Sequence, residues 1–274
     1  MAAEGRVAVA PNVALRIVEA GDPAARSTII FIPGWSAGAD IWSDQIERFK
    51  SESRVISFDP RSQGESTKTV TGNTPEQRAA DLHVLLTKEG VHGAVLVGWS
   101  QAVQDIAAYV QRFGTRDIGG IVLVDAAVSD GANAIAERPA EVAFQFRLFS
   151  TYLGNQEAYL RGMFRAIVSK PQAAGVIDRA VSTAMKTPSS IGMSMLVADL
   201  FTADRRDALP KITCPVLIIA AASSRELERQ KAEVRVIKKA QFVQIDDSAH
   251  AVFLDQPNRF SAELAQFVRT LAGR

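Results

Sequence analysis

The chain has 274 residues, 47% hydrophobic and 22% charged, a balance that buries a substantial core and excludes a disordered chain. Lys plus Arg number 31 against 30 Asp plus Glu, a net charge of +1, and no basic block or acidic tail gives nucleic acid or a membrane surface anything to bind. The single cysteine, Cys214, excludes an intramolecular disulfide and a cysteine-based zinc site, and it reads as a small core residue.

The first twenty or so residues lack a positive start followed by an unbroken apolar segment, so they do not read as a secretory signal. No stretch approaches the roughly 18 apolar residues of a membrane span. The expectation is a soluble, cytoplasmic protein.

In chain order, Arg6–Ala10 and Ala14–Glu19 alternate in polarity around Pro11-Asn12 and predict an antiparallel hairpin. Ser27–Ile32 is a continuous β-branched run, as expected of a strand buried on both faces, and it ends at Pro33-Gly34-Trp35. A helix carrying Trp42, Ile46 and Phe49 follows, then a strand at Arg54–Phe58 and the polar turn Asp59–Ser66. Thr74-Pro75 starts a helix through Leu86. Ala94–Val97 and Gly120–Val124 are further buried strands, with a helix between them. From Ala126 to about Pro210 no strand signal recurs, while 142–153, 157–168 and 191–201 show helical spacing, so this insertion reads as a lid. Strands return at Pro215–Ala220 and Gln241–Ile245, and an amphipathic helix covers Asn258–Leu271. Alternating strands and helices with short links predict an α/β fold with a mostly parallel sheet.

The stretch Val97-Gly98-Trp99-Ser100-Gln101-Ala102 is strand, sharp turn, helix. Such a turn strains the serine backbone and lifts its hydroxyl out of the sheet, and small flanking residues let strand and helix approach. Ala102 stands where the usual G-x-S-x-G pattern has its last glycine. An accidental Gly-x-Ser in a buried strand is the bland alternative.

Ser100 needs a base, and the chain has 3 histidines. His83 falls in an outer helix and His92 in a loop before a strand, whereas His250 follows the last strand, on the sheet edge where all parallel strands end. By elimination His250 is the base. An acid to orient His250 has to come from the same sheet edge, and there the turn after Pro215–Ala220 reads Ala221-Ala222-Ser223-Ser224-Arg225-Glu226 and holds no aspartate. Asp125, ending the strand after Ser100, is the favoured acid and Glu226 the alternative, although an aspartate there could also only cap a turn. Asp59, Arg61 and Ser66 read as structural, and Asp246 and Asp247 as loop carboxylates.

Four motifs in this order resemble the α/β-hydrolase superfamily over nearly the whole chain: Pro33-Gly34-Trp35, Asp59-x-Arg61-x-x-Gly64-x-Ser66, Gly98-Trp99-Ser100, and Ser248-Ala249-His250 with Gln256-Pro257-x-x-Phe260. Ala107–Gly114 and the linker Asp207–Pro215 resemble more narrowly its cofactor-free haloperoxidase and esterase branch. The resemblance implies an α/β-hydrolase fold with an eight-stranded sheet, helices on both faces and a helical lid after the sixth strand. The core would be residues 1–126 and 211–274, and the cap 127–210. It further implies acyl transfer by Ser100, with the backbone N–H groups of Trp35 and Gln101 holding the oxyanion and neither cofactor nor metal.

Trp99, Phe144, Phe149, Met193, Leu196, Val252 and Phe253 are candidate pocket residues for an apolar small-molecule substrate, and the lid is a candidate homodimer contact. Two other functions compete with a carboxylic-ester or lactone hydrolase. One is a cofactor-free dioxygenase of a hydroxyquinolone-type ring that uses the His–Asp pair. The other is a non-catalytic receptor for a small ligand.

Overall fold

In the computed structural model, which describes residues 2–272, the chain runs β1 (Ala3–Ala10), β2 (Val13–Ala20), β3 (Thr28–Ile32), α1 (Ser43–Phe49), β4 (Arg54–Phe58), α2 (Pro75–Lys88), β5 (Ala94–Trp99), α3 (Gln101–Phe113) and β6 (Ile118–Val124). The helices α4 (Asn133–Glu137), α5 (Pro139–Gly154), α6 (Gln156–Ala166), α7 (Val176–Ala184) and α8 (Ser189–Phe201) follow. The chain then closes with β7 (Val216–Ala221), α9 (Leu227–Val236), β8 (Ala240–Ile245), α10 (Val252–Asp255) and α11 (Pro257–Ala272). Residues 1, 273 and 274 of the expected core domain lie outside the described residues.

The eight strands form one sheet in the order β1-β2-β4-β3-β5-β6-β7-β8. β1 pairs antiparallel with β2, and β2 with β4, while β3 through β8 run parallel. Successive residues of a parallel strand point to opposite faces. Along β3, Ile29 and Phe31 enter the layer shared with Phe260, Leu264 and Phe267 of α11, while Ile30 and Ile32 enter the layer shared with Leu82 of α2 and Ile106 of α3. Each fully buried side chain of this size is worth about 1.5–3 kcal/mol, and both faces of the central strands collect that gain. This is why the strands read as unbroken apolar runs.

Thr74 caps α2 by accepting the Gln77 N–H, with Pro75 in the first turn. The sequence pattern does not announce four helices: the short α4 and α7 in the lid, α9 after β7 and the one-turn α10. The buried face of α9 is polar, formed by Gln230 and Glu233, so hydrophobic periodicity does not mark it.

The insertion between β6 and β7 is helical and builds its own small core from Tyr152, Leu160, Phe164, Val181 and Met195 packed around Trp35 of the sheet domain. Trp35 meets Tyr152 edge to face at 5.0 Å between ring centroids. The lid is thus wrapped on a residue of the loop after β3. Among the described residues no helix is long and apolar enough to cross a membrane.

Candidate active site

Ser100 sits between β5 and α3 at φ 57°, ψ −118°, a left-handed conformation that costs a non-glycine residue about 1–3 kcal/mol. The neighbours that allow it are small. A Cβ on Gly98 would stand 3.2 Å from the Ala102 methyl and 2.6 Å from Ile106, so the pair tolerates a methyl on one side only. The Ala102 methyl is accommodated because residue 98 has no side chain.

The three residues singled out at this sheet edge form a hydrogen-bonded row. His250 Nε2 is 2.9 Å from Ser100 Oγ, and His250 Nδ1 is 2.8 Å from Asp125 Oδ2. Asp125 follows β6 at φ 48°, and its other oxygen accepts the Ala221 N–H at 2.8 Å. Both carboxylate oxygens are therefore assigned, and the side chain is buried while His250 is about one-third exposed. Trp99 donates its indole N–H to the carbonyl of His250 at 2.9 Å, so the residue before the serine fixes the backbone of the histidine.

Glu226, the alternative acid, is not bonded to His250. Its Oε2 accepts the Ala127 N–H at 2.7 Å and its Oε1 the Arg229 guanidinium at 2.8 Å. The neighbouring Val128 and Ser129 N–H groups go to Glu233 and Gln104 at 2.6 and 2.7 Å. Three side chains thus hold consecutive amides of the loop that follows Asp125. Burial pushes the Glu233 carboxyl up to about 8.

Trp35 lies in the loop after β3 and Gln101 opens α3. Among the described residues neither backbone N–H has a protein acceptor. The loop is held by Gln63, whose side chain accepts the Ser36 N–H at 2.6 Å and donates to the Gly34 and Ala37 carbonyls at 3.3 and 3.2 Å. Gln63 belongs to the Asp59–Ser66 turn. There Asp59 accepts the Ala39 and Glu65 N–H groups, Arg61 pairs with Asp81, and Ser66 bonds the Asp59 carbonyl, all without touching the row. Burial raises the Asp59 carboxyl, and those two N–H groups and Arg16 act in the opposite direction.

A cavity of about 250 Å³ opens onto Ser100 and His250. Of the candidate pocket residues, Leu196 lines it, together with Trp35, Val142, Leu200 and Phe201. The others lie elsewhere. Trp99, Val252 and Phe253 are buried in the layer beneath, where Phe253 stacks on Trp42. Phe149 is buried against Phe146, Met193 packs into the lid core, and Phe144 is exposed under Arg225. Sequence adjacency to His250 misled for Val252 and Phe253, because α10 turns them inward. Charged residues also line the cavity, a feature that no local pattern announces. Arg138 pairs with Asp130 at 2.6 Å and Arg229 with Glu226 at 2.8 Å, so both cations are neutralised within the wall. Among the described residues no cluster of His, Cys, Asp and Glu could hold a metal ion.

Residues 29–263 match the model of the alpha/beta hydrolase family. The chain is 26% identical over 256 residues to a non-heme chloroperoxidase of Streptomyces lividans, covering 88% of this chain and 91% of that protein. It is 34% identical over 99 residues, 36% of each chain, to a bifunctional esterase/perhydrolase of Acinetobacter calcoaceticus. Its fold superposes on an esterase from Exiguobacterium antarcticum with a TM-score of 0.86, at 19% identity and covering 97% of this chain and 100% of that one. With a sheet of this order, a helical insertion after β6 and a family match across most of its length, the chain belongs to the alpha/beta hydrolase family.

Proposed function

We propose that the protein is a serine hydrolase that cleaves a small to medium carboxylic ester, lactone or related activated carbonyl through an acyl-enzyme. The observation that carries the reading is the Ser100–His250–Asp125 row, whose Ser100 and His250 line a half-open cavity. Ser100 Oγ attacks the carbonyl carbon while His250 Nε2 takes its proton. The imidazolium that forms is stabilised by the buried Asp125 carboxylate on Nδ1. The carbonyl oxygen becomes an oxyanion between the Trp35 and Gln101 N–H groups, and each such donor is worth about 3 kcal/mol of barrier.

Collapse expels the alcohol, which takes the proton from His250. Water then enters, gives its proton to His250 and attacks the acyl carbon. The second collapse returns the proton to Ser100 and releases the acid.

A cavity of about 250 Å³ with internally paired arginines suits a short, neutral acyl group better than a long chain or a free carboxylate. The partial likeness to an esterase/perhydrolase supports hydrogen peroxide as a second acceptor for the same acyl-enzyme, giving a peracid in place of the acid.

Release of p-nitrophenol from esters running from acetate to decanoate, by wild type and Ser100→Ala, tests the reading. Serine-dependent release with a short-chain optimum is expected, and Ser100→Ala should lose about 10⁴-fold or more in kcat. A folded wild type that releases nothing would overturn it and turn attention to oxygen uptake on hydroxyquinolones, where the His250–Asp125 pair would act as the base.

A further inference from the structure

The two residues whose N–H groups would hold the oxyanion stand on separate elements, one in the loop after β3 and one at the start of α3. Their side chains nevertheless reach the same lid helix. The Trp35 indole N–H donates to the Gly192 carbonyl of α8 at 2.8 Å, and the Gln101 side-chain amide donates to the Asp199 carboxylate of α8. Gly192 and Asp199 are about two turns apart, so they share one face of the helix.

Both attachments are built rather than incidental. A Cβ on Gly192 would stand 2.3 Å from the Tyr152 hydroxyl, so only glycine lets α8 come this close to the lid core that surrounds Trp35. Asp199 is buried, and the Arg78 guanidinium of α2 bridges it to Asp105 of α3. Arg205, itself paired with Glu76, caps the same end of α8 through the Asp199 carbonyl. Apolar contacts could dock a lid helix without desolvating a carboxylate. What a charged hydrogen bond adds is direction: it fixes the first residue of α3 relative to α8.

We propose that α8 is the frame that sets the spacing of the two oxyanion donors, and that Asp199 is a positioning residue acting through the Gln101 side chain. This rests on the serine-hydrolase reading. Donors must lie within about 2.7–3.1 Å of the oxyanion to act, so a loosened Gln101 loses catalysis without losing substrate binding.

The test compares wild type, Gln101→Leu, Asp199→Leu and the double variant on a short p-nitrophenyl ester, with the affinity of a phenylboronic acid that forms a tetrahedral adduct on Ser100. The expected result is a fall in kcat of about 10- to 100-fold in each single variant with KM nearly unchanged, boronate affinity lowered by a similar factor, and a double variant no slower than the worse single one. Gln101→Leu keeps the backbone N–H and the Arg78–Asp199 pair, so it reads the same bond if Asp199→Leu does not fold.

An active wild type with variants of unchanged kcat and boronate affinity would overturn the inference. So would losses confined to KM, which would make Asp199 a substrate contact. A wild type without serine-dependent turnover would instead remove the hydrolase reading, and the inference with it.

Discussion

Gly34 lies against Ser100 so closely that a Cβ placed on it would stand 3.1 Å from the Cβ of the serine and 3.0 Å from the Trp99 ring. The loop after β3 can therefore approach the serine turn only because residue 34 has no side chain. Gly34→Ala should push that loop, and the Trp35 N–H with it, by a few tenths of an ångström. A 10- to 100-fold drop in kcat/KM is expected, roughly the scale of a damaged oxyanion donor, read by ester kinetics on a variant whose circular dichroism matches wild type.

Asp125→Asn should cost about 10⁴-fold in kcat, because an amide in place of the carboxylate favours the wrong imidazole tautomer and leaves the imidazolium unstabilised. Glu226→Gln should keep kcat within about 10-fold, since its oxygens serve the Ala127 N–H and Arg229 rather than the histidine. Kinetics on the two variants side by side decide the matter; the opposite ranking would make Glu226 the acid.

Gln63→Leu removes a side chain that bonds three backbone groups of the loop carrying Trp35. Unpaired buried polar groups cost about 1–3 kcal/mol each, so a stability loss of at least about 2 kcal/mol is expected in urea unfolding, together with reduced turnover. A variant as stable as wild type would mean that water replaces the amide.

The buried cluster around Arg78 sets a pH dependence. Burial, with the charge of Asp199 adding to it, pushes the Asp105 carboxyl up to about 7 from its ordinary 3.8, while Arg78 and Arg205 act in the opposite direction. Because the folded value is the higher one, ionisation is easier in the unfolded chain. The stability this carboxyl contributes is thus fully present below its ordinary value and is lost as pH rises towards 7. Asp105→Asn should flatten that decline. Unfolding free energies at pH 5 and pH 7.5 should differ less in the variant than in wild type, and an equal difference would contradict the assignment.

Much of this arrangement could be read from the chain. Ser100 was marked by small neighbours at a strand-to-helix turn, His250 by its place after the last strand, and Asp125 by ending the strand next to that of the serine. Each signal is local, or follows from parallel strands ending on one edge. Glu226 shows the limit: a carboxylate near the right strand reads as an acid until its partners, the Ala127 N–H and Arg229, are seen. The cavity wall was least legible. Val252 and Phe253 follow the histidine closely yet face the core, while Val142 and Phe201 reach the cavity from separate lid helices. Such positions depend on how helices dock, which spacing within one helix does not encode.

The Trp99 indole stands 5.3 Å from the imidazole of His250, ring centre to ring centre, and is itself shielded from solvent. An indole this near the imidazole and out of water senses what settles on that ring, so a molecule bound in the cavity against His250 is expected to change tryptophan emission, a signal available without turnover.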